Sequence, residues 1–301
     1  MELMRIQLDL RKTPFNLDHT LSCGQTFRWE KRGKWWVGVV GQIALKICHA
    51  HNRLEFEASS DCVNTGFIRH YLRLDDDLPS IYSEIAKDKH IRKAIRQFHG
   101  LRLVRQDPWE CLISYVCATY KNIPAIKQMI RNLSTRFGRP VTFDGQEFHT
   151  FPEANALAGA SLGDLKACKL GYRALNVRET ANLVSSGKFD LESLRTMPYQ
   201  EAKKMLLSLP GVGSKVADCV LLFSLDKLEA FPIDVWVKRV VLECYSQCFE
   251  SGFPERIRYG RSLSMRDYQT IYDFGRDYFG EYLGYAQEYL YHYKRCQAQL
   301  G

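Results

Sequence analysis

Two residues in the second half of the chain carry the chemistry that the sequence suggests first. Lys215 ends the segment Leu-Pro-Gly-Val-Gly-Ser-Lys, and Asp234 follows nineteen residues later in Phe-Pro-Ile-Asp. A lysine acts as a nucleophile in its neutral form, which needs surroundings that disfavour the positive charge. Taken alone, Lys215 could be a solvated phosphate contact and Asp234 an ordinary helix cap. A two-glycine turn, a lysine and an aspartate at this separation rarely coincide by chance.

The elements that would position Lys215 are two helices joined by a turn with two glycines. Apolar residues recur at helical spacing over residues 198–208 and again over residues 216–223, which predicts a helix on each side of the turn. We therefore predict a helix-hairpin-helix over residues 198–224. Its glycines let the backbone come close to another surface, and the N–H groups before the second helix suit a phosphate. The residues expected to contact DNA here are Gly211, Val212 and Gly213.

Both chemical residues are predicted near the N-terminus of a helix. Lys215 falls in the first turn of the second hairpin helix, with Ser214 as the expected N-cap. The positive end of the helix dipole disfavours a charged lysine there and favours the neutral amine. Asp234 is the expected N-cap of a further helix that begins at Val235.

Several segments outside the hairpin also carry recognisable motifs. Residues 22–29 read Ser-Cys-Gly-Gln-Thr-Phe-Arg-Trp, and Lys215 is followed one helical turn later by Cys219. The full set comprises residues 21–29, 106–112, 170–174, 209–219, 234 and 284–287. In these motifs the chain resembles the helix-hairpin-helix DNA glycosylases, and within them the eukaryotic-type 8-oxoguanine DNA glycosylase/AP lyases. The resemblance spans residues 21–291.

The resemblance implies an enzyme that rotates 8-oxoguanine out of the DNA duplex and removes it. Lys215 would attack the sugar C1′ and expel the base, leaving a Schiff base from which the 3′ phosphate is eliminated. Asp234 would stabilise positive charge on the sugar and orient the lysine. The implied partner is double-stranded DNA that contains 8-oxoguanine.

The resemblance also implies which residues recognise the base. N7 accepts a hydrogen bond in guanine and donates one in 8-oxoguanine, so the carbonyl group of Gly24 would favour the oxidised base. Gln287 would bind the Watson–Crick edge, while Cys219 and Tyr291 would cover the two faces. Gln287 and Tyr291 lie one helical turn apart and share a helix face. Alternatively, Gly24 serves only the turn into a strand over residues 26–30.

The segments that would contact the opposing strand depart from the family pattern. Tyr120 replaces the first residue of an asparagine run, Asn122 survives from that run, and Ala125 occupies an arginine position. Tyr172 and Arg173 are retained, and we expect them to wedge the duplex and hold the opposing cytosine. The missing asparagine and arginine predict a weak preference for cytosine opposite the lesion.

Trp236 stands where the eukaryotic enzymes carry a phosphate-binding histidine. We expect its uncharged indole to stack on a sugar or to donate one hydrogen bond to DNA. These departures, with a compact N-terminus that has no targeting segment, are typical of a bacterial or archaeal member. A cytoplasmic, nucleoid-associated protein is therefore expected.

The predicted fold is α+β, with two parts. Apolar residues alternate at period two up to about residue 58, with turns at Gly33, Gly41 and His51, which predicts an antiparallel sheet. Beyond Asp61 the spacing becomes helical. We predict an N-terminal β-sheet domain with flanking helices over residues 1–98 and a larger all-helical glycosylase domain over residues 99–301.

The cysteines give no sign of a metal site. The ten cysteines form no Cys-x-x-Cys pair, which favours reduced thiols, and the iron–sulfur loop of some related glycosylases is absent from the sequence. We expect no metal and no cofactor, although a cation that bridges the hairpin loop and a DNA phosphate is compatible with the sequence.

Composition is consistent with a polyanionic partner, since the net charge is +8. No apolar run is long enough to span a membrane, so we expect no membrane partner, and we expect a monomer. Two other functions are considered. A monofunctional glycosylase for alkylated bases should lack Lys215 and the Gly24 segment. A non-catalytic DNA-binding protein has no use for Lys215, Asp234 and Gln287 together.

Overall fold

The N-terminal part of the protein is a five-stranded antiparallel sheet. The computed structural model describes residues 6–11, 13–260 and 262–300. The strands are β1 Ile6–Asp9, β2 Glu30–Arg32, β3 Trp35–Val40, β4 Ile43–Ala50 and β5 Arg53–Ala58, in the spatial order β1-β5-β4-β3-β2. Tight turns with positive φ at Gly33, Gly41 and His51 join the strands β2 to β5. The predicted antiparallel sheet is confirmed.

The prediction of a strand over residues 26–30 is wrong, because pairing with β3 begins only at Glu30. The carbonyl group of Trp29 accepts a hydrogen bond from Lys127 Nζ (3.0 Å) instead of pairing with a neighbouring strand. Phe27 and Trp29 are both buried in this irregular segment. The segment after Gly24 is therefore held by side-chain packing and not by sheet pairing.

Fifteen α-helices account for most of the rest of the described residues. The chain also forms short 3₁₀ turns at Glu192–Arg195, Ser246–Cys248 and Gly280–Tyr282. No described helix combines the length and the apolar character that a membrane span requires. The helices are α1 Leu17–Ser22, α2 Thr65–Tyr71, α3 Leu78–Ile85, α4 Lys89–Gln97, α5 Pro108–Ala118, α6 Ile123–Phe137, α7 Ala154–Ala158, α8 Leu162–Ala167, α9 Arg173–Ser185, α10 Tyr199–Leu207, α11 Ser214–Ser224, α12 Val235–Cys244, α13 Phe253–Tyr259, α14 Met265–Phe279 and α15 Leu283–Leu300.

The larger hydrophobic core surrounds α5 and α11. Both helices are buried over most of their length, and they pack against each other. Cys23 and Phe27 from the N-terminal segment belong to the same core, as do buried residues of α3 and α4. A second core lies between the sheet, α1 and α2. The boundary between residues 98 and 99 stays a prediction, and α3 and α4 share their buried residues with the helices that follow them.

A small hairpin interrupts the helical part. Strands β6 (Pro140–Phe143) and β7 (Gln146–His149) pair with each other, and Phe143 packs against Val39 and Ala44 of the large sheet. Lys46 Nζ also bonds to the carboxylate of Asp144 at 2.6 Å. The predicted α+β class is confirmed, and this hairpin is an addition that the expectation of an all-helical second part missed.

The predicted helix-hairpin-helix is formed by α10 and α11. Gly211 has φ +78°, and a Cβ atom there would lie 2.6 Å from Asn176, so only glycine fits this turn. Gly213, in extended conformation, is the N-cap of α11, and Ser214 is already the first helical residue. The expected N-cap at Ser214 is therefore wrong by one residue.

Candidate active site

Lys215 lies in the first turn of α11, directly above an aromatic ring. Its side chain is half-buried, and Nζ is 4.9 Å from the ring centroid of Tyr115 on α5. The Tyr115 hydroxyl group donates a hydrogen bond to the carbonyl oxygen of Gln25 at 3.0 Å. The amine thus sits where the central helix pair meets the segment that begins at Gly24.

Asp234 is the N-cap of α12, as predicted. Its Oδ1 atom accepts hydrogen bonds from the N–H groups of Trp236 (2.8 Å) and Val237 (2.9 Å). Burial raises the pKa of Asp234, while these two bonds and the charge of Lys215 act in the opposite direction. Both capping bonds end on Oδ1, which leaves Oδ2 for a second partner. Capping and a role in catalysis are therefore compatible in one carboxylate.

Gly24 has no room for a side chain. Its φ is +102°, and a Cβ atom would lie 2.5 Å from a guanidinium nitrogen of Arg295 and 2.8 Å from Ile123 Cδ1. The Tyr291 hydroxyl would be 3.3 Å away. The backbone conformation favours glycine, and the ends of the Arg295 and Ile123 side chains also crowd the position, so the turn alone does not explain it.

Of the other three residues expected to recognise the base, Cys219 and Gln287 are buried and Tyr291 is partly buried. Cys219 lies one turn after Lys215 on α11, and burial raises the pKa of its thiol to about 12. The negative charge of Asp234 contributes to raising the pKa of both Cys219 and Tyr291. Gln287 on α15 is 3% exposed, and its Oε1 atom has no hydrogen-bond partner. A buried, unpaired amide oxygen suits a ligand that brings its own donors.

The hairpin turn presents its two glycines to solvent. Gly211 and Gly213 are exposed, whereas the side chain of Val212 is buried. The N–H group of Val212 already donates to the carbonyl oxygen of Leu209 at 3.1 Å. Val212 therefore shapes the turn, and the glycines are the residues of this loop that can approach a phosphate.

Two tyrosines stand out from the surface near the expected wedge. Tyr120, between α5 and α6, is 83% exposed, and Tyr172, before α9, is 64% exposed. Asn122 caps α6, because its side chain accepts a hydrogen bond from the N–H group of Ala125 at 3.0 Å. Trp236 is half-buried, with the Arg239 guanidinium 4.6 Å from its ring centroid.

Arg173 does not lie where a direct contact to DNA would place it. The side chain is buried, and its guanidinium group donates to the carbonyl oxygens of Thr119 and Leu170. It also lies against the ring of Tyr172, 4.4 Å from the centroid. This placement differs from the expected cytosine contact because the side chain is buried and both terminal nitrogens donate to backbone carbonyl groups.

Comparison with known proteins identifies the family. The family model for the N-terminal domain of 8-oxoguanine DNA glycosylase matches residues 7–112. An N-glycosylase/DNA lyase of Arabidopsis thaliana is 32% identical over 94% of this chain and 78% of its own length. The N-glycosylase/DNA lyase of Saccharomyces cerevisiae is 33% identical over 79% of this chain and 70% of its own. The chain belongs to the N-glycosylase/DNA lyase family.

A solved structure gives the same result in three dimensions. The 8-oxoguanine glycosylase/lyase of Clostridium acetobutylicum, bound to double-stranded DNA with cytosine opposite 8-oxoguanine, superposes with a TM-score of 0.85. The two chains are 28% identical, and the match covers 99% of this protein and 100% of the other. The expected family and fold are thus confirmed, and the expected bacterial or archaeal origin stays a prediction.

This N-glycosylase/DNA lyase family member holds further site residues that the sequence analysis missed. Arg295 Nη2 donates to the carbonyl oxygen of Ser22 (3.0 Å), and Nη1 approaches the Tyr291 hydroxyl at 3.3 Å. Glu288 is 2% exposed and has an unpartnered Oε1. Burial raises the pKa of Glu288 to about 7, against a hydrogen bond from the Cys23 thiol. No local sequence signal marked either residue, because polar residues occur along the whole of α15.

Gln25 is the other residue that the sequence analysis passed over. Its side chain is buried, and Nε2 donates to the carbonyl oxygens of Thr20 (2.9 Å) and Arg102 (2.8 Å). Its Oε1 accepts from the N–H group of Val104 at 2.8 Å. Three hydrogen bonds thus hold the side chain of Gln25. Because Gln25 directly follows Gly24, its immobility fixes the direction of the Gly24 carbonyl group.

Proposed function

We propose that this protein excises 8-oxoguanine from double-stranded DNA through a Schiff base on Lys215 and then cleaves the strand as an AP lyase. The observation that carries the proposal is the convergence of three distant segments. Lys215 and Cys219 come from α11, Asp234 begins α12, and Gly24 lies against α15, which carries Gln287. The named activities of the relatives and the basic net charge support the same conclusion.

The reaction proceeds in two stages at the sugar. The neutral amine of Lys215 attacks C1′, the C1′–N9 bond breaks, and the base leaves with the electron pair and takes up a proton. Asp234 stabilises the positive charge that develops on the sugar before the new bond is complete. Ring opening gives an imine, from which loss of a C2′ proton expels the 3′ phosphate. Hydrolysis of the remaining imine frees Lys215.

Discrimination between guanine and 8-oxoguanine depends on one fixed acceptor. The carbonyl group of Gly24 accepts a hydrogen bond from N7–H of 8-oxoguanine and meets a lone pair in guanine. Gln287 supplies a free amide oxygen for the donors of the Watson–Crick edge. Cys219, as the neutral thiol that burial favours, and Tyr291 cover the faces of the ring. A glycosylase for alkylated bases would not need this arrangement around Gly24.

The remaining parts of the proposal concern DNA and the cell. Gly211 and Gly213 approach a backbone phosphate, with or without a bridging cation, and Tyr120, Tyr172 and Trp236 contact the distorted duplex. Arg173 stabilises this surface through its hydrogen bonds to the carbonyl oxygens of Thr119 and Leu170. Action as a monomer in the cytoplasm, at the nucleoid, is proposed on the basic charge of the chain.

Borohydride trapping tests the proposed function directly. The protein is mixed with a duplex that contains 8-oxoguanine or with the same duplex that contains guanine, and borohydride reduces any imine to a stable cross-link. We expect cross-linking and base release only with the lesion. Lys215→Gln should abolish both and retain binding, whereas Lys188→Gln, which changes an exposed lysine, should retain all three.

Each alternative gives a different result in the same experiment. Base release without a cross-link would identify a monofunctional glycosylase, and binding without release would identify a DNA-binding protein that is not an enzyme. Base release by Lys215→Gln at the wild-type rate would remove Lys215 from the mechanism.

A further inference from the structure

A buried polar cluster lies beside the catalytic residues and takes no part in the mechanism described above. Asp218, on α11, is fully buried and accepts hydrogen bonds from Lys203 Nζ (2.9 Å), the Tyr199 hydroxyl (2.7 Å) and the Tyr268 hydroxyl (2.6 Å). The amine of Lys203 is also 5.0–5.3 Å from three tyrosine ring centroids. All three partners donate to Asp218, so the cluster uses both of its carboxylate oxygens as acceptors.

An ion pair in such a buried position contributes little to stability. The cost of removing both charges from water offsets most of their attraction, so apolar residues often serve as well. One established use of a buried polar group is instead to fix one particular arrangement of neighbouring elements. The elements that this cluster joins therefore indicate which arrangement it fixes.

Tyr268 connects the cluster to the loop that ends at Asp234. Its hydroxyl group donates to Asp218 Oδ2 at 2.6 Å and accepts from the N–H group of Ile233 at 3.0 Å. The carbonyl oxygen of Phe231 is 3.1 Å from the same hydroxyl. A hydroxyl has one proton, and the shorter contact to a carboxylate takes it. One oxygen atom of α14 thus bridges α11 and the residue before Asp234.

The Tyr268 hydroxyl group connects the two backbone segments that carry the catalytic side chains. Asp218 is three residues after Lys215 on the same helix, and Ile233 immediately precedes Asp234. We propose that Tyr268 is a positioning residue, whose hydroxyl group fixes the separation of Lys215 and Asp234 and thereby sets the rate of base excision. This proposal rests on the proposed function and concerns neither DNA binding nor the identity of the base.

Two substitutions of tyrosine by phenylalanine test the proposal. Tyr268→Phe removes the bridge and keeps the ring. Tyr199→Phe is the matched control, since it removes hydrogen bonds to the same Asp218 and to Lys203 without touching the Asp234 loop. The excision rate constant is measured in single turnover with saturating protein, together with the dissociation constant for lesion DNA. At saturation this rate constant does not depend on the concentration of folded protein, so partial unfolding leaves it unchanged as long as folded protein stays in excess over DNA.

We expect Tyr268→Phe to slow excision about tenfold to a hundredfold with a dissociation constant within about twofold of the wild type. Tyr199→Phe should excise within about twofold of the wild-type rate, even if its melting temperature falls as much as that of Tyr268→Phe. Equal rates in the two variants, or a slower rate matched by weaker DNA binding, would overturn the proposal. Failure of the wild-type protein to excise at all would instead overturn the proposed function.

A second variant keeps the test decisive if Tyr268→Phe does not fold. Lys203→Met combined with Asp218→Leu replaces the ion pair by apolar side chains and removes the attachment of Tyr268 to α11. We expect this folded variant also to excise at least tenfold more slowly than the wild type with unchanged DNA affinity. Excision at the wild-type rate would show that the cluster does not position the catalytic residues.

Discussion

The guanidinium group of Arg173 is hydrogen-bonded to the carbonyl oxygen of Thr119, one residue before Tyr120. Tyr120 has φ +54°, a left-handed conformation that costs about 1–2 kcal/mol for a residue with a side chain. The surroundings must therefore hold the backbone there, and the buried Arg173, at the start of α9, contributes a hydrogen bond from outside this turn. The exposed ring of Tyr120, which we propose contacts DNA, thus stands on a constrained backbone.

This arrangement predicts weak selection of the base opposite the lesion. An aromatic ring stacks on any base, whereas an arginine or asparagine contact to one base edge is worth about 1–3 kcal/mol. Ala125 makes no such contact, so the preference for cytosine should be weaker than in the eukaryotic enzymes by about tenfold or more. Single-turnover excision rates on four duplexes that differ only in the opposing base measure it, and adenine should be accepted.

A substitution of Tyr120 provides the control for this prediction. Tyr120→Asn restores the residue of the eukaryotic pattern and should reduce excision opposite adenine more than opposite cytosine. A strict requirement for cytosine in the wild-type protein would mean that Tyr172, Asn122 or a displaced Arg173 reads the opposing base.

Asp234→Asn should separate catalysis from capping. Asparagine is as good an N-cap as aspartate, so the hydrogen bonds to Trp236 and Val237 persist and the melting temperature should hardly change. Loss of the carboxylate should slow base excision about 10²–10³-fold with little effect on lesion binding. Asp77→Asn, at the N-cap of α3, is the control and should leave excision unchanged. An unfolded Asp234→Asn variant would mean that the charge serves the fold.

Gly24→Ala should damage recognition more than stability. The new Cβ atom would lie 2.5 Å from Arg295 Nη1 at a φ of +102°, so either the Arg295 side chain or the Gly24 carbonyl group must shift. Gly33→Ala places an alanine at a φ of +59° in an open turn and serves as the control for positive φ alone, with a cost of about 1 kcal/mol in the free energy of unfolding. We expect only Gly24→Ala to lose preferential binding of 8-oxoguanine over guanine duplexes. Equal discrimination by both variants would contradict the role of the Gly24 carbonyl group.

Glu288 should make stability depend on pH. Burial raises the pKa of Glu288 to about 7 from an ordinary value of 4.5, so the folded protein holds a proton that the unfolded chain releases. Its contribution to stability is therefore complete below about pH 4.5 and is lost as the pH rises through 7. A shift of this size corresponds to about 3 kcal/mol.

The measurement for Glu288 is urea unfolding at pH 5 and pH 8. Glu288→Gln should be more stable relative to the wild type at pH 8 than at pH 5, because glutamine stays neutral at both. Glu250→Gln, which changes an exposed carboxylate, should show no such difference. The same relative stability of Glu288→Gln at both pH values would mean that the carboxylate is ionised at little cost.

Patterns confined to neighbouring residues predicted the fold well. The alternation of apolar residues correctly predicted the strands Trp35–Val40 and Ile43–Ala50. The glycines at 211 and 213 correctly predicted the hairpin turn. The cap at Asp234 was also predictable, because its bonds run to the next three residues. The β6–β7 hairpin was not, since its stability depends on packing against a sheet a hundred residues earlier in the chain.

The candidate site was predictable only where a family motif marked it. The placement of Arg173 could not be predicted, because the carbonyl group that holds it belongs to Thr119 on another helix end. The roles of Glu288, Arg295 and Tyr268 likewise arise from contacts across the chain, and nothing in their local sequence distinguishes them from ordinary helix residues.

The clamp on Gln25 has a consequence for how DNA is searched. The conformational entropy of the Gly24 carbonyl group is lost once, when the chain folds, and not again at each base that the protein meets. Undamaged guanine vastly outnumbers its oxidised form, so nearly every encounter must end in rejection. In the proposed function, such a rigid acceptor rejects guanine without waiting for a loop to rearrange. We then expect the time that a base spends outside the helix to limit the speed of inspection.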